Sequence, residues 1–336
     1  MRILWVLLSA LQLQFSPLLV RAASSSAVLR LDAAVDALVA ADARLETLFQ
    51  GDTIFDGVTW VHRGGSGYLI FSDVPGNTIE KLNPDGSVSA FQNNIFAGKD
   101  PSQAYQSSGS GGQKKFWMLG AEGITLDREG RIVYCAYSDG QIVRLEADGR
   151  HTILASHFGA SRLNGPNDLV YKSDGALYFT DSRADTKRTD GEGVPHKGLY
   201  VLRGGEIQLL SKDIDHPNGV AFSPDEKYLY VTNTLLMNIL RFDVQAGGIA
   251  GVAIFFDMSG EQGVGAPDGI KVDRQGNVYC TGPGGVWIIS PEGKHIGTIL
   301  APTRISNLAF GGEDARTLYL TSFGALYRIP LKVAGR

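Results

Sequence analysis

From residue 45 onward, short runs of Val, Ile, Leu and Tyr alternate with clusters of Gly, Asp, Asn and Pro, the pattern of short strands joined by tight turns. One unit recurs six times within it: a small polar residue heads an alternating apolar strand. The copies are Asp56-Gly-Val-Thr-Trp, Glu122-Gly-Ile-Thr-Leu, Asn167-Asp-Leu-Val-Tyr, Asn218-Gly-Val-Ala-Phe, Asp268-Gly-Ile-Lys-Val and Asn307-Leu-Ala-Phe, spaced 39 to 66 residues apart. Most are followed by a turn and a second strand of common form, as in Gly175-Ala-Leu-Tyr-Phe-Thr and Lys227-Tyr-Leu-Tyr-Val-Thr, and then by a third such as Gln141-Ile-Val-Arg-Leu. Three or four strands per ~40–50 residues is the signature of propeller blades. The pattern therefore predicts an all-β, six-bladed propeller over residues 44–332. Its last unit runs out after Ala325-Leu-Tyr-Arg-Ile, and Arg44-Leu-Glu-Thr-Leu-Phe is placed to supply the missing strand and close the ring. A two-sheet sandwich, the rival all-β solution, gives no reason to repeat a polar residue at the head of one strand per unit.

The first 43 residues follow other rules. Arg2, a mostly apolar run from Ile3 to Val20, and small residues at Val20 and Ala22 read as a secretory leader, Met1 to Ala22, cleaved before Ala23. The alternative is an uncleaved membrane anchor, which Gln12, Gln14, Ser16 and Pro17 make the poorer choice. The expected destination is the periplasm or the medium, with no membrane association after cleavage. In the segment 23–43, Val28, Leu31, Val35, Leu38 and Val39 fall at helical spacing, which predicts one short amphipathic helix.

Composition adds three limits. Gly makes up 42 of 336 residues without a collagen period, in keeping with many turns. A formal charge of −4 with no basic block argues against a nucleic-acid partner. Two cysteines exclude a disulfide scaffold. Cys135 and Cys280 stand at equivalent second-strand positions of the second and fifth units, across the ring from each other, so no bond is expected between them.

In a propeller the innermost strands line a central channel, so their heads converge at one mouth. Asp56, Glu122 and Asp268 bring carboxylates there; Asn167, Asn218 and Asn307 bring amide oxygens. Such a set of hard oxygen donors suits Ca²⁺ better than Zn²⁺ or a redox metal. Without a cation the three carboxylates would raise one another's pKa. The plainer reading is a water-filled polar channel in which each head only starts a turn.

At this point the residues resemble a family. Arg162-Leu-Asn-Gly-Pro-Asn-Asp-Leu, Tyr178-Phe-Thr-Asp, His216-Pro-Asn-Gly-Val-Ala-Phe-Ser-Pro-Asp and Pro267-Asp-Gly-Ile-Lys-Val-Asp are similar to boxes of the SMP-30/gluconolactonase/luciferin-regenerating-enzyme family, in order, across roughly residues 45–330. The resemblance implies a six-bladed propeller that hydrolyses sugar lactones with one divalent cation in its channel, usually Ca²⁺, with Zn²⁺, Mg²⁺ or Mn²⁺ as alternatives. It assigns metal-ligand roles to Asn167, Asn218 and Asp268, and a general-base role to Asp268. Glu122, Arg162, Asp181 and His216 are the expected substrate contacts, and Glu122 and His216 are the rivals to Asp268 as general base. Two departures stand out. The family's opening Glu is Asp56 here, one methylene shorter, and its second-unit Asn is Glu122, which is a candidate either to complete the metal shell or to act as acid or base. The substrate therefore need not be gluconolactone itself.

Two insertions break the period, at residues 99–118 and 183–197, and the topology predicts that both overhang the channel mouth as lids, with Lys114, Lys115, Arg183, Lys187 and Arg188 as possible substrate contacts. No Gly-x-Ser-x-Gly elbow, phosphate loop or EF-hand is present. The expected function is a Ca²⁺-dependent lactone hydrolase acting on a small-molecule substrate. An esterase or phosphotriesterase of the same fold, and a non-catalytic calcium- or sugar-binding propeller, are the alternatives. The oligomeric state is left open.

Overall fold

A computed structural model describes residues 27–98, 104–108, 115–182 and 193–336. The proposed leader Met1–Ala22, the larger part of both insertions, and Lys114, Arg183, Lys187 and Arg188 lie outside the described residues. The architecture is a β-propeller with almost no helix. Three of the repeats each form a four-stranded antiparallel meander, and a fourth carries an added edge strand to make five.

The expectation of a six-bladed propeller is corrected: the described residues form five blade sheets. The first and sixth repeats are fused in one six-stranded sheet, because the strand Glu46–Arg63 runs unbroken through both. Its first half pairs with the C-terminal strand Thr317–Pro330, Glu46 opposite Arg328 and Ile54 opposite Phe323. Its second half pairs with Ser66–Asp73, Phe55 opposite Asp73 and Arg63 opposite Ser66. The segment beginning at Arg44 thus supplies the strand that the last repeat lacks. Six inner strands line the channel: the second half of Glu46–Arg63, then Ala121–Leu126, Pro166–Tyr171, Pro217–Phe222, Ile270–Val272 and Ile305–Gly311. Each packs on the next, and the sixth on the first.

The predicted N-terminal helix does not form. Val28–Arg30 adds instead as an edge strand, Val28 opposite Ile299, and covers backbone groups that would otherwise be exposed. One turn of 3-10 helix follows at Ala33–Ala37, with the Asp32 carboxylate accepting from the Ala34 N–H at 2.8 Å. Val35, Leu38 and Val39 are buried against Ile288, Ile296 and their neighbours. The helical spacing was a real core-facing pattern, served by a strand and a single turn. Cys135 and Cys280 are buried free thiols.

The glycine after each polar head explains how the inner strands fit together. A Cβ on Gly57 would lie 1.7 Å from the Glu122 carbonyl oxygen, and one on Gly219 would lie 2.2 Å from that of Asp268. At these points the backbone of one inner strand rests directly on the head of the next. In the third and sixth repeats the same position holds a side chain, Asp168 and Asn307, and Gly123 and Gly269 of the preceding strands leave the room for it. At the other end of the channel, residues 331–336 cross beneath the inner strands. The Arg336 N–H donates to the Val272 carbonyl at 3.1 Å, and its guanidinium pairs with Glu226 over the Phe222 ring. Above it lies a cavity of 210 Å³ lined by Thr59, Thr125, Lys271 and Arg336 together with apolar side chains.

Gly219→Ala should therefore cost about 3 kcal/mol through overpacking. Gly260→Ala, where a methyl group meets nothing within 4 Å, should be close to neutral. Urea-unfolding midpoints of the two variants check this; equal midpoints would refute the close-packing account.

Candidate active site

Two local devices aim the heads into the channel. The first is a register shift in the inner strands at the heads: between Asp56 and Val58, Ala121 and Ile124, Pro166 and Leu169, Pro217 and Val220, and Ile305 and Asn307. A bulge of this kind redirects a side chain and ends regular pairing. The second is a hydroxyl at the end of the second strand. Thr180 Oγ1 donates to the Asn218 carbonyl at 2.6 Å, and Thr232 Oγ1 donates to that of Asp268 at 2.7 Å. The same hydroxyls accept the Asp168 and Gly219 N–H groups at 3.1 and 2.7 Å, while Thr281 accepts the Asp268 N–H at 2.8 Å. Each such threonine ties one head to its own blade, and two of them also reach the next. The repeated Thr in Tyr-Phe-Thr, Tyr-Val-Thr and Tyr-Cys-Thr is the sequence trace of this device.

Four carboxyl groups are buried together at this level: Asp56, Glu122, Asp168 and Asp268. Burial is the largest influence on Asp56 and, with repulsion from Asp268, pushes it up to about 7 against the hydrogen bond that it accepts from Asn307 Nδ2 at 3.0 Å. Glu122 is pushed well above the ordinary range, first by burial and then by repulsion from Asp56 and Asp268. The Asp56 carboxyl beside it further favours the protonated form of Glu122. Asp268 is raised by burial, opposed by Arg304 and by a hydrogen bond from the Asn218 side chain. Arg304 Nη2 lies 3.1 Å from Asp268 Oδ2. Asp168 accepts the Leu169 and Val220 N–H groups at 2.9 and 3.2 Å, and Lys271 Nζ approaches it to 3.6 Å from the channel below.

Asp56, Glu122, Asn218 and Asp268 are thus brought together as the sequence led one to expect. Asn167 sits at its head position, half-buried, with no side-chain hydrogen bond to the described residues. The other expected residues have different partners. The head of the sixth repeat is Ser306, one residue earlier than the pattern suggested. Thr321 Oγ1 reaches the Asn307 carbonyl as Thr180 reaches that of Asp168, so Asn307 occupies the glycine position and its amide oxygen serves the Leu308 N–H. The two carboxylate oxygens of Asp181 take the N–H groups of Asn164 and Gly165 at 2.8 and 2.7 Å, fixing that loop from a fully buried position. The Arg162 guanidinium donates to the Asp139 carbonyl. The His216 N–H donates to Asn233 Oδ1 at 3.0 Å, which sets the loop leading into Asn218. Asp168, Lys271 and Arg304 went unread. Asp168 is masked by the neighbouring Asn167, and a loop arginine carries no periodic signal.

The donor set fits a hard divalent cation. Carboxylates that repel one another gather at one point with the Asn218 amide, with no thiolate or imidazole among them. Among the described residues no three His, Cys, Asp or Glu side chains are grouped tightly enough to hold a metal alone, so an ion here would draw on Asn167 and Asn218 as well.

An acid raised on folding binds its proton more tightly in the folded state, so this contribution to stability is lost as pH rises from the unfolded pKa near 4 through the folded value of about 7. The cation-free protein should lose on the order of 5 °C in melting temperature between pH 5 and pH 8 relative to Asp56→Asn. Ca²⁺ should reverse that loss at pH 8 and have little effect at pH 5. Scanning calorimetry with EDTA or Ca²⁺ checks both; a Ca²⁺ effect independent of pH would contradict the assignment.

Comparison with known proteins agrees with this geometry. Residues 55–324 match the model of the SMP-30/Gluconolactonase/LRE-like region. The chain is 29% identical over 315 residues to a gluconolactonase of Zymomonas mobilis, covering 90% of this chain and 85% of that one. It superposes on the structure of a gluconolactonase from Xanthomonas campestris with a TM-score of 0.74 at 29% identity, covering 90% of this chain and 94% of that one. A calcium-binding regucalcin from Agrobacterium tumefaciens shares the fold with a TM-score of 0.67 at 19% identity, over 88% of this chain and 96% of that one.

Proposed function

The chain belongs to the SMP-30/gluconolactonase/LRE-like family, and from that premise we propose that it is a divalent-cation-dependent hydrolase that opens sugar lactones at the acid cluster of the channel mouth. The observation that carries the reading is the meeting of Asp56, Glu122 and Asp268 with Asn218 at one buried point, where burial raises the proton affinity of all three carboxyl groups. Asp56, Asn167, Asn218 and Asp268 are the residues that would hold the cation, Ca²⁺ ahead of Zn²⁺, Mg²⁺ or Mn²⁺ because every donor is a hard oxygen. Lewis acidity toward the lactone carbonyl and its developing oxyanion is what a bound divalent cation supplies.

The chain's own groups supply the proton traffic. Arg304 and the Asn218 amide favour the ionised form of Asp268, which accepts a proton from the attacking water. Glu122, whose burial beside Asp56 and Asp268 favours its protonated form, delivers a proton to the ring oxygen as the acyl C–O bond breaks. One water is consumed, and the product is the open-chain hydroxy acid. Two carboxyl groups driven apart in proton affinity by their surroundings are a common basis for such a division of roles. The departures at Asp56 and Glu122 leave open which lactone is preferred. The segment Met1–Ala22 supports export to the periplasm or the medium.

Proton release from a panel of aldonolactones should be abolished by EDTA and restored by Ca²⁺. Asp268→Asn should lower kcat at least about a hundredfold. Glu122→Gln should lower kcat by a similar factor while leaving Ca²⁺ affinity within about threefold. An unchanged rate in Glu122→Gln would remove Glu122 from the chemistry. Stoichiometric Ca²⁺ binding without turnover of any lactone would favour another ester class or a binding protein.

A further inference from the structure

Arg304 stands on the loop that leads into Ile305–Gly311, on the side of the acid cluster where the inner strands begin. Its guanidinium carbon lies 5.0 Å from the centre of the Phe323 ring, and its carbonyl accepts the Phe323 N–H at 3.2 Å. Ring and loop are therefore locked together, and the side chain is clamped between an aromatic face and Asp268 Oδ2. Its donors are nevertheless under-used. Nε–H is buried without an acceptor, and Nη1 makes no hydrogen bond to the described residues. The side chain keeps 29% of its surface exposed. Arg131 in the same protein shows how a structural arginine differs, with Asp127, Glu129 and Glu146 all drawn around it. The other cation at the cluster, Lys271, reaches Asp168 from the opposite side and lines the cavity at the far end of the channel.

A negative substituent approaching this mouth meets four buried carboxyl groups, and it needs a cation with free donors at the rim to be accepted. With Nη2 on Asp268 and Nε–H buried, Nη1 is the donor that a carboxylate or phosphate at the rim would meet. Resting on the lactonase reading above, we propose that Arg304 is the specificity-determining residue of the site and selects lactones that carry an anionic substituent, carboxylate or phosphate, over neutral ones.

The test compares wild type, Arg304→Lys and Arg304→Gln, all saturated with Ca²⁺, on a neutral aldonolactone, a carboxylate-bearing aldarolactone and a 6-phosphoaldonolactone. Any loss transmitted through Asp268 falls on all three substrates alike, so the readout is the ratio of kcat/KM, anionic to neutral. In Arg304→Gln that ratio should drop by at least about tenfold, mainly through KM, while Arg304→Lys keeps most of it because the charge remains. The preferred anion, carboxylate or phosphate, is the one whose ratio falls further. An equal fall on neutral and anionic lactones, or one carried by kcat alone, would overturn the proposal and leave Arg304 as a support for Asp268. A second arm is independent of turnover: 6-phosphogluconate, glucarate or both should raise the melting temperature of wild type more than gluconate does, and this difference should vanish in Arg304→Gln. If no lactone is turned over but that difference is present, the reaction assignment fails and anion recognition by Arg304 stands. If the difference is also absent, both fail.

Discussion

Neighbouring inner strands approach so closely at the channel mouth that a single methyl group would not fit between them at Gly57 or Gly219. Much of the molecule follows from that constraint. Strands this close can follow one another around the axis only if each yields at the same height, and the register shifts at the heads are how they yield. The yielding turns polar side chains inward, and the threonine hydroxyls of the second strands hold the displaced carbonyls and N–H groups that the bulges leave unpaired. A site that looks like a set of independent acidic residues is the by-product of one packing solution used around the ring.

That solution works against stability. Carboxyl groups buried within reach of one another raise their own proton affinity, as at Asp56 and Glu122. A core built for stability alone would place apolar side chains here, as the lower half of each inner strand does with Val58, Ile124, Leu169 and Val220. The cost is concentrated where neighbouring charge offsets it, with Arg304 and Lys271 approaching the cluster from opposite sides.

Much of this was legible in the sequence because periodicity and chemistry disagree at the heads. Asp56, Glu122, Asn218 and Asp268 interrupt apolar alternation at a regular place, and Gly follows each one. Where that glycine is replaced the pattern loses its marker. The sixth head was read as Asn307 rather than Ser306, and Asp168 passed unnoticed beside Asn167. The N-terminal segment misled for another reason: Val35, Leu38 and Val39 face a core in either a helix or an irregular turn, and what decided between them was an unpaired edge near Ile299, far along the chain. Sheet fusion was equally hidden, since strand patterns do not reveal that Glu46–Arg63 continues through a position where two units meet. Asp181 and Arg162 lie in motif-like stretches and hold loops in place. Arg304 shows the converse, because an arginine aimed at a carboxylate and one dissolved in solvent look the same in one dimension.

The continuous strand that joins the two ends also fixes an order of events during synthesis. Glu46 and its partner Arg328 are 282 positions apart, and Asn307 reaches Asp56 across 251. The middle meanders pair over short distances and can form as they emerge from the ribosome. The first strand waits for almost the whole remaining chain before its outer half finds Thr317–Pro330. The acid cluster is consequently enclosed only at the last step, when the sixth inner strand reaches the first, and a finished mouth marks a finished protein.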